Sequence, residues 1–204
     1  MKITLIVEGK TEKAFLPHLR QLLSLHLKDK MPRLDVNPYD GRIPTEERLK
    51  RIVQTLLSGR NPSDHVIALT DVYTGTQPPE FKNAEDAKKK MNQWVGSEPR
   101  FHPHVALHDF EAWLLPYWES IQKLAGHNKK APNGKPETVN HNNPPAYRLK
   151  EIFEIGTCRD SYIKPRDAGR ILTNQKLIVA VDACPELKSL VNTIISVCDG
   201  VIIP

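Results

Sequence analysis

Acidic side chains at the ends of apolar runs are the residues of this sequence that could do chemistry. Glu8 follows the run Ile3 to Val7, and Asp71 follows His65 to Thr70. Phe101 to Leu107 runs in the same way into His108-Asp109-Phe110-Glu111, and Glu12 lies one helical turn beyond Glu8. Carboxylates gathered in one place repel one another and raise each other's pKa unless a cation neutralises them. A ligand set made only of oxygen prefers hard ions, so Mg²⁺ or Mn²⁺ is the natural cofactor. Two such ions about 4 Å apart can activate an attacking water and stabilise the leaving oxygen of a phosphodiester. The candidate metal ligands are therefore Glu8, Glu12, Asp71, Asp109 and Glu111, with Glu12 either a ligand or a general base. Phosphoryl transfer also needs positive charge where anionic oxygens develop. Lys164, in Ser161-Tyr162-Ile163-Lys164-Pro165-Arg166, is the candidate, with Arg148 and Lys10 behind it. Taken singly, an acid at a helix start is equally explained by the macrodipole, and a lysine by a solvated surface.

For these acids to meet, the runs that precede them must be parallel strands of one sheet. Apolar stretches bounded by turn chemistry read as central strands. Gly9 permits a sharp exit from the first, and Thr11 can cap the helix that follows. That helix, 12–26, buries Phe15, Leu19, Leu22 and Leu23 on one face, and Pro17 should kink it or delay its regular start. Leu34 and Val36 suggest a short strand over 33–38, ahead of the turn Pro38-Tyr39-Asp40-Gly41. Leu49, Ile52, Val53, Leu56 and Leu57 carry helical spacing, stopped by Ser58-Gly59. A loop with Gly75, Pro78 and Pro79 follows Asp71, then a polar helix over 83–95, then the strand 101–107 and a helix start at 108–115. Strands alternating with helices imply parallel pairing, right-handed crossovers and one shared carboxyl edge, where open α/β sheets collect ligands. From 119 the pattern loosens. Residues 126–145 form a long loop rich in Asn and Pro, of the kind that is usually functional or mobile. Two or three helices close the chain, with an apolar face of Leu187, Leu190, Val191, Ile194 and Ile195. The expected fold is α/β, a mostly parallel central sheet flanked by helices. Residues 1–125 form its core, and 126–204 a loop plus helical extension packed on that core as one globular unit.

Composition narrows the function further. The 204 residues carry a net charge of +5, and residues 119–176 hold 11 lysines and arginines against 6 acids. A basic flank beside an acidic pocket suits a polyanion whose phosphates must reach a metal. Lys10, Arg148, Lys150, Lys164 and Arg166 are the expected nucleic-acid contacts. No apolar run approaches the roughly 18–20 residues a membrane span needs, and the first strand is too short for a signal-peptide core. Cys158, Cys184 and Cys198 are far apart without metal spacing and read as reduced thiols of a cytoplasmic protein. Gly9-Lys10-Thr11 imitates the end of a phosphate-binding loop, but Thr4 stands where that motif needs its first glycine, which argues against an intrinsic ATPase. His102, His104 and His108 lack the spacing of a transition-metal site. His108 stays as a neighbour of the acids.

These motifs resemble the Toprim superfamily, the metal-dependent domain of topoisomerases, primases and overcoming-lysogeny-type (OLD) nucleases. Glu8-Gly9-x-Thr11-Glu12 is similar to its first acidic motif. More closely, the chain resembles the DUF4276 family in four places: Thr70-Asp71-Val72-Tyr73-Thr74-Gly75, His108 to Leu115, Pro144/Pro145 to Lys150, and Tyr162 to Lys164. Many Toprim proteins carry Asp-x-Asp at the second motif. Here Tyr73 replaces the second acid, which leaves any second metal to Glu111 or Asp109 and makes Tyr73 a site-lining residue. The resemblance implies a Toprim-like fold, a metal-dependent nuclease acting on DNA rather than RNA, an AAA/ABC-type ATPase partner and a role in antiphage defence. Two other readings stay open: a non-catalytic subunit that binds an ATPase or nucleic acid, and a primase-like or small-nucleotide phosphoryl-transfer enzyme. Homo-oligomerisation is likewise open.

Overall fold

The first apolar run folds as the strand β1 (Lys2–Val7), buried on both faces as a central parallel strand must be. The computed structural model describes residues 1–39, 41–73, 79–140 and 142–204, and of Lys10 the backbone alone. After β1 come α1 (Lys10–Leu27), β2 (Arg33–Pro38), α2 (Glu46–Ser58), β3 (His65–Asp71), α3 (Ala84–Val95) and β4 (Phe101–Ala106). All pairings are parallel, and the sheet order is β2-β1-β3-β4. The chain steps outward from β1 to β2, then crosses back over β1 to β3. Crossovers of one hand in opposite directions place their helices on opposite faces. Ile3, Leu5, Val7, Ile67 and Leu69 accordingly pack with α1, while Ile6, Val66, Ala68, Phe101 and Val105 pack with α2 and α3. The direction of the chain reverses between β1 and β3, and a crevice opens at such a point on the carboxyl edge.

Beyond β4 the structure departs from the expected α-helix at 108–115. Phe110–Tyr117 forms an eight-residue 3₁₀ helix, and all of its side chains but Pro116 are buried. Its residues are buried all round rather than along one stripe, and Pro116 offers no amide for an α-helical bond. The helices α4 (Trp118–Ala125), α5 (Pro145–Ile155), α6 (Lys164–Leu172), α7 (Ile178–Ala183) and α8 (Pro185–Val197) follow. Among the described residues, four α-helices and a 3₁₀ turn at Pro136–Thr138 thus lie beyond residue 126, against the two or three helices expected. The short α6 and α7 carry too few turns for a clear period. Their apolar side chains, among them Ile171, Leu172, Ala180 and Val181, share the core that β1, β3 and α1 form on one face of the sheet. The helix α1 starts at Lys10, without the delay expected from Pro17. Pro17 is exposed, and so is Lys13, whose carbonyl loses its amide partner.

One buried acid of the Asn/Pro-rich segment ties the 3₁₀ helix to α8. Glu137 is 4% exposed. It accepts the Trp113 indole N–H at 3.0 Å and the backbone amides of Glu186 and Leu187 at 2.9 and 3.4 Å. Removing a buried charged acceptor strands its donors, at about 2–4 kcal/mol. Glu137→Ala is expected to lower the melting temperature by roughly 5–10 °C, and Glu137→Gln by less, in a thermal melt followed by circular dichroism. An unchanged melting temperature in Glu137→Ala would contradict this role.

Candidate functional site

The register of β1 and β3 pairs Val7 with Leu69, so Glu8, the residue that follows β1, lies beside Thr70 and Asp71. Glu8 Oε1 accepts the Thr70 hydroxyl and, at 3.0 Å, the Asp71 amide, which binds the ends of the two strands through a carboxylate. Asp71 Oδ1 in turn accepts the Phe110 amide at 3.0 Å and fixes the start of the 3₁₀ helix. That helix carries Glu111, which is fully buried. Glu111 Oε2 lies 3.3 Å from Lys164 Nζ, and Oε1 accepts the Tyr162 hydroxyl at 3.4 Å. Glu12 enters from the first turn of α1. The structure brings Glu8, Glu12, Asp71, Glu111 and Lys164 together around one cavity of about 330 Å³, completed by Gly9, Thr11, Gly41, Phe110 and Pro165.

Asp109 is not among the lining residues. It is 3% exposed, and its Oδ2 accepts the Ala146 amide at 3.0 Å in the first turn of α5. Asp109 Oδ1 is buried with no hydrogen-bond partner among the described residues. Tyr73 and His108 are joined through their backbones (Tyr73 N to His108 O, 2.7 Å), and neither side chain lines the cavity. Arg148 and Lys150 lie along α5, where Lys150 pairs with Glu154 and Arg148 lines a separate cavity. Arg166 forks onto Asp167 with two contacts of 2.8 Å. The Lys10 side chain and the turn residues Thr74 and Gly75 lie outside the described residues. His102 sits 3.1 Å from His65 and His104 is buried, so the histidines of β4 do not line the acidic cavity.

Two local expectations are corrected. Gly9 has φ −166°, an extended conformation open to any residue, so the exit from β1 does not require glycine. Thr11 does not cap α1. It lies inside the helix, largely buried against the cavity, and among the described residues no side chain caps the N-terminus of α1. Uncapped amides there present the positive end of the helix dipole. Sequence reasoning missed Thr70, Gly41 and Arg42. Thr70 is the one hydroxyl in an otherwise apolar strand interior, and that placement was its signal. Gly41, at φ +108°, is in the left-handed region that favours glycine. Its amide reaches the Glu8 carbonyl at 3.2 Å, and so lays the segment after β2 over the end of β1.

Burial sets the electrostatics. It raises Glu12 from 4.5 to about 7, with the charges of Glu8 and Glu111 adding to the effect. Burial raises Asp71 well above the usual carboxylate range, reinforced by Glu8, Asp109, Glu111 and Glu12. Glu8 is raised by burial in spite of its bonds to Thr70 and Asp71 and the opposing charges of Arg42 and Lys164. Burial and Glu111 raise Asp109. Burial pushes Lys164 down, but Glu111, Asp71 and Asp109 outweigh it and hold the ammonium form. The donors are all hard oxygens in a negative crevice, which fits Mg²⁺ or Mn²⁺ by chemistry. Among the described residues, however, no three His, Cys, Asp or Glu side chains stand together in a position to hold a metal ion. Glu8, Asp71 and Glu111 each have an oxygen committed to a protein donor.

Raised carboxyls bind protons more tightly when folded, so their contribution is complete at low pH and lost as pH rises. For Glu12 the loss spans from pH 4.5 to about 7. It amounts to something on the order of 3 kcal/mol. In metal-free buffer, Glu12→Gln is expected to gain melting temperature relative to wild type as pH rises through that window. Parallel pH profiles for the two proteins would contradict the shift.

The fold is similar to that of the C-terminal region of the Burkholderia pseudomallei OLD protein. The TM-score is 0.55 at 14% identity, over 97% of this chain and 98% of that one. The C-terminal region of the Xanthomonas campestris pv. campestris OLD protein also matches, with a TM-score of 0.49 at 14% identity, over 97% and 96% of the two chains. No curated protein matches the sequence. The likeness to OLD proteins expected from the motifs thus holds at the level of the fold. Among the described residues no helix is long and apolar enough to cross a membrane. Residues 7–195 match the family described as "Domain of unknown function (DUF4276)", a span that holds all the acids of the cavity, and the chain belongs to that family.

Proposed function

We propose that this protein is a Toprim-type phosphodiesterase that cleaves nucleic acid, DNA before RNA, with Mg²⁺ or Mn²⁺ as cofactor. The observation that carries the reading is the convergence of Glu8, Glu12, Asp71 and Glu111 with Lys164 on one cavity at the carboxyl edge of β1 and β3. Glu8 and Asp71 would hold the divalent ion between them, with Glu12, Glu111 and Asp109 supplying negative charge around it. Such an ion polarises the phosphoryl oxygens and lowers the pKa of bound water. The chain's own groups do the rest. Glu12, in the first turn of α1 on the cavity wall, accepts the proton of the attacking water. Lys164, half-exposed beside Glu111, reaches the oxygens on which negative charge develops. The uncapped N-terminus of α1 favours a phosphate in the same crevice. The clamp from Glu8 to Thr70 and Asp71 keeps the first acid aimed.

Cooperation with an AAA/ABC-type ATPase in a defence-type system belongs to this reading by analogy with OLD proteins. A second reading is a non-catalytic subunit that binds an ATPase or nucleic acid. It is favoured by the Lys164–Glu111 ion pair, which neutralises one acid without any ion. Incubation with circular and linear DNA and with RNA, in Mn²⁺ or Mg²⁺ and then in EDTA, separates the two. We expect metal-dependent cleavage that falls at least about 100-fold in Glu8→Gln and Asp71→Asn, and about 10²–10³-fold in Lys164→Ala. Cleavage by Glu8→Gln at the wild-type rate would assign the activity elsewhere. No cleavage under any condition would favour the non-catalytic reading.

A further inference from the structure

A second cavity, of about 370 Å³, opens beside α5 and takes no part in the acidic site. Its charged lining is Lys129, Lys130, Arg148 and Glu151, and Trp118 and Pro132 supply an apolar wall. Three cations therefore face one anion. Lys129 Nζ contacts Glu151 Oε1 at 2.6 Å, whereas Arg148 Nη1 stands 4.0 Å from Glu151 Oε2. Lys130 has no ionic partner among the described residues, and Arg148 Nε is buried there without a hydrogen-bond acceptor. The walls are fixed in place. The Trp118 indole and the Gln122 amide both donate to the Lys129 carbonyl, at 2.7 and 2.9 Å, and His127 Nδ1 accepts the Lys129 amide at 3.0 Å. Among the described residues Glu151 Oε2 is likewise buried without a donor, so Lys129 and Glu151 offset each other and the excess positive charge is that of Lys130 and Arg148. A pinned loop with that excess charge and a buried, unsatisfied guanidinium N–H offers a place for an oxyanion.

The helix α5 carries Arg148 at this cavity and, at its first turn, holds Asp109, which lies behind the acidic crevice. Ala146 donates its amide to Asp109, and Arg148 follows two residues later, about 3 Å along the helix axis. We propose that the cavity binds a backbone phosphate of the same nucleic acid strand that enters the acidic crevice, with Arg148 and Lys130 as its donors and Trp118 and Pro132 against the sugar. The assignment rests on the nucleic-acid reading above. It differs in needing no divalent ion, since its charges come from the protein.

Fluorescence anisotropy of the full chain with a short fluorescein-labelled DNA, in EDTA, tests it. Lys130→Ala, at an exposed position, and Arg148→Gln should each weaken binding about tenfold. Each should also lower the slope of log affinity against log salt by about one. Lys50→Ala, on α2 at the opposite face of the sheet, removes the same charge and should bind as wild type. Affinities of Lys130→Ala and Arg148→Gln equal to that of Lys50→Ala would overturn the proposal. So would a mononucleotide that binds as tightly as the DNA, because the site would then serve free nucleotides. Absence of cleavage, with this binding pattern intact, would sink the nuclease and leave the cavity. Cleavage with unchanged affinities in both variants would do the reverse.

Discussion

Charge crowding at the carboxyl ends of β1 and β3 is the constraint on which the rest of the structure depends. Parallel pairing places Glu8 beside Asp71, and the 3₁₀ helix adds Glu111 from the far side. Glu12 and Glu111 are buried and Glu8 and Asp71 half-buried, and away from water a lone carboxylate is costly. The fold answers with donors: the Thr70 hydroxyl and Asp71 amide for Glu8, the Phe110 amide for Asp71, and Tyr162 and Lys164 for Glu111. Glu12 and Asp71 stay raised in spite of this. A site that fold-derived donors neutralise only in part is one that gains from a cation.

The strands and the acids at their ends were legible in the sequence because both signals are local. An apolar run followed by a carboxylate needs no knowledge of the rest of the chain, and the period of Leu49 to Leu57 is that of a half-buried helix. The 3₁₀ helix was less legible. Phe110 to Tyr117 is apolar on all sides because it is enclosed by helices that come later, so no period distinguishes it. Glu137 was invisible for the same reason: its partners, Trp113 and the start of α8, lie 24 and about 50 residues away. Thr11 and Gly9 were misread because capping and glycine rules describe local preference, while the packing of α1 against the crevice decided both. Of the expected cations whose side chains are described, Lys164 alone joins the acids. Spacing alone could not separate it from Arg166, which is turned onto Asp167.

The segment after residue 118 gives the site two of its parts. The helix α6 delivers Lys164, and Tyr162 reaches in from just before it. The long Asn/Pro-rich segment supplies Glu137 for packing and Lys129 and Lys130 for the second cavity. The excess of positive charge there is therefore divided: some of it faces acids within the protein, and some faces a cavity of its own. The helix α5 carries Arg148 of the second cavity and, through the Ala146 amide, holds Asp109 behind the first.

The central claim is that Glu8 and Asp71 share a divalent ion, and titration calorimetry with Mn²⁺ near neutral pH tests it most directly. Wild type should give a saturable heat that disappears in both Glu8→Gln and Asp71→Asn, while each variant keeps its fold by circular dichroism. Silence in the wild type at millimolar Mn²⁺, or the same heat in all three proteins, would contradict it.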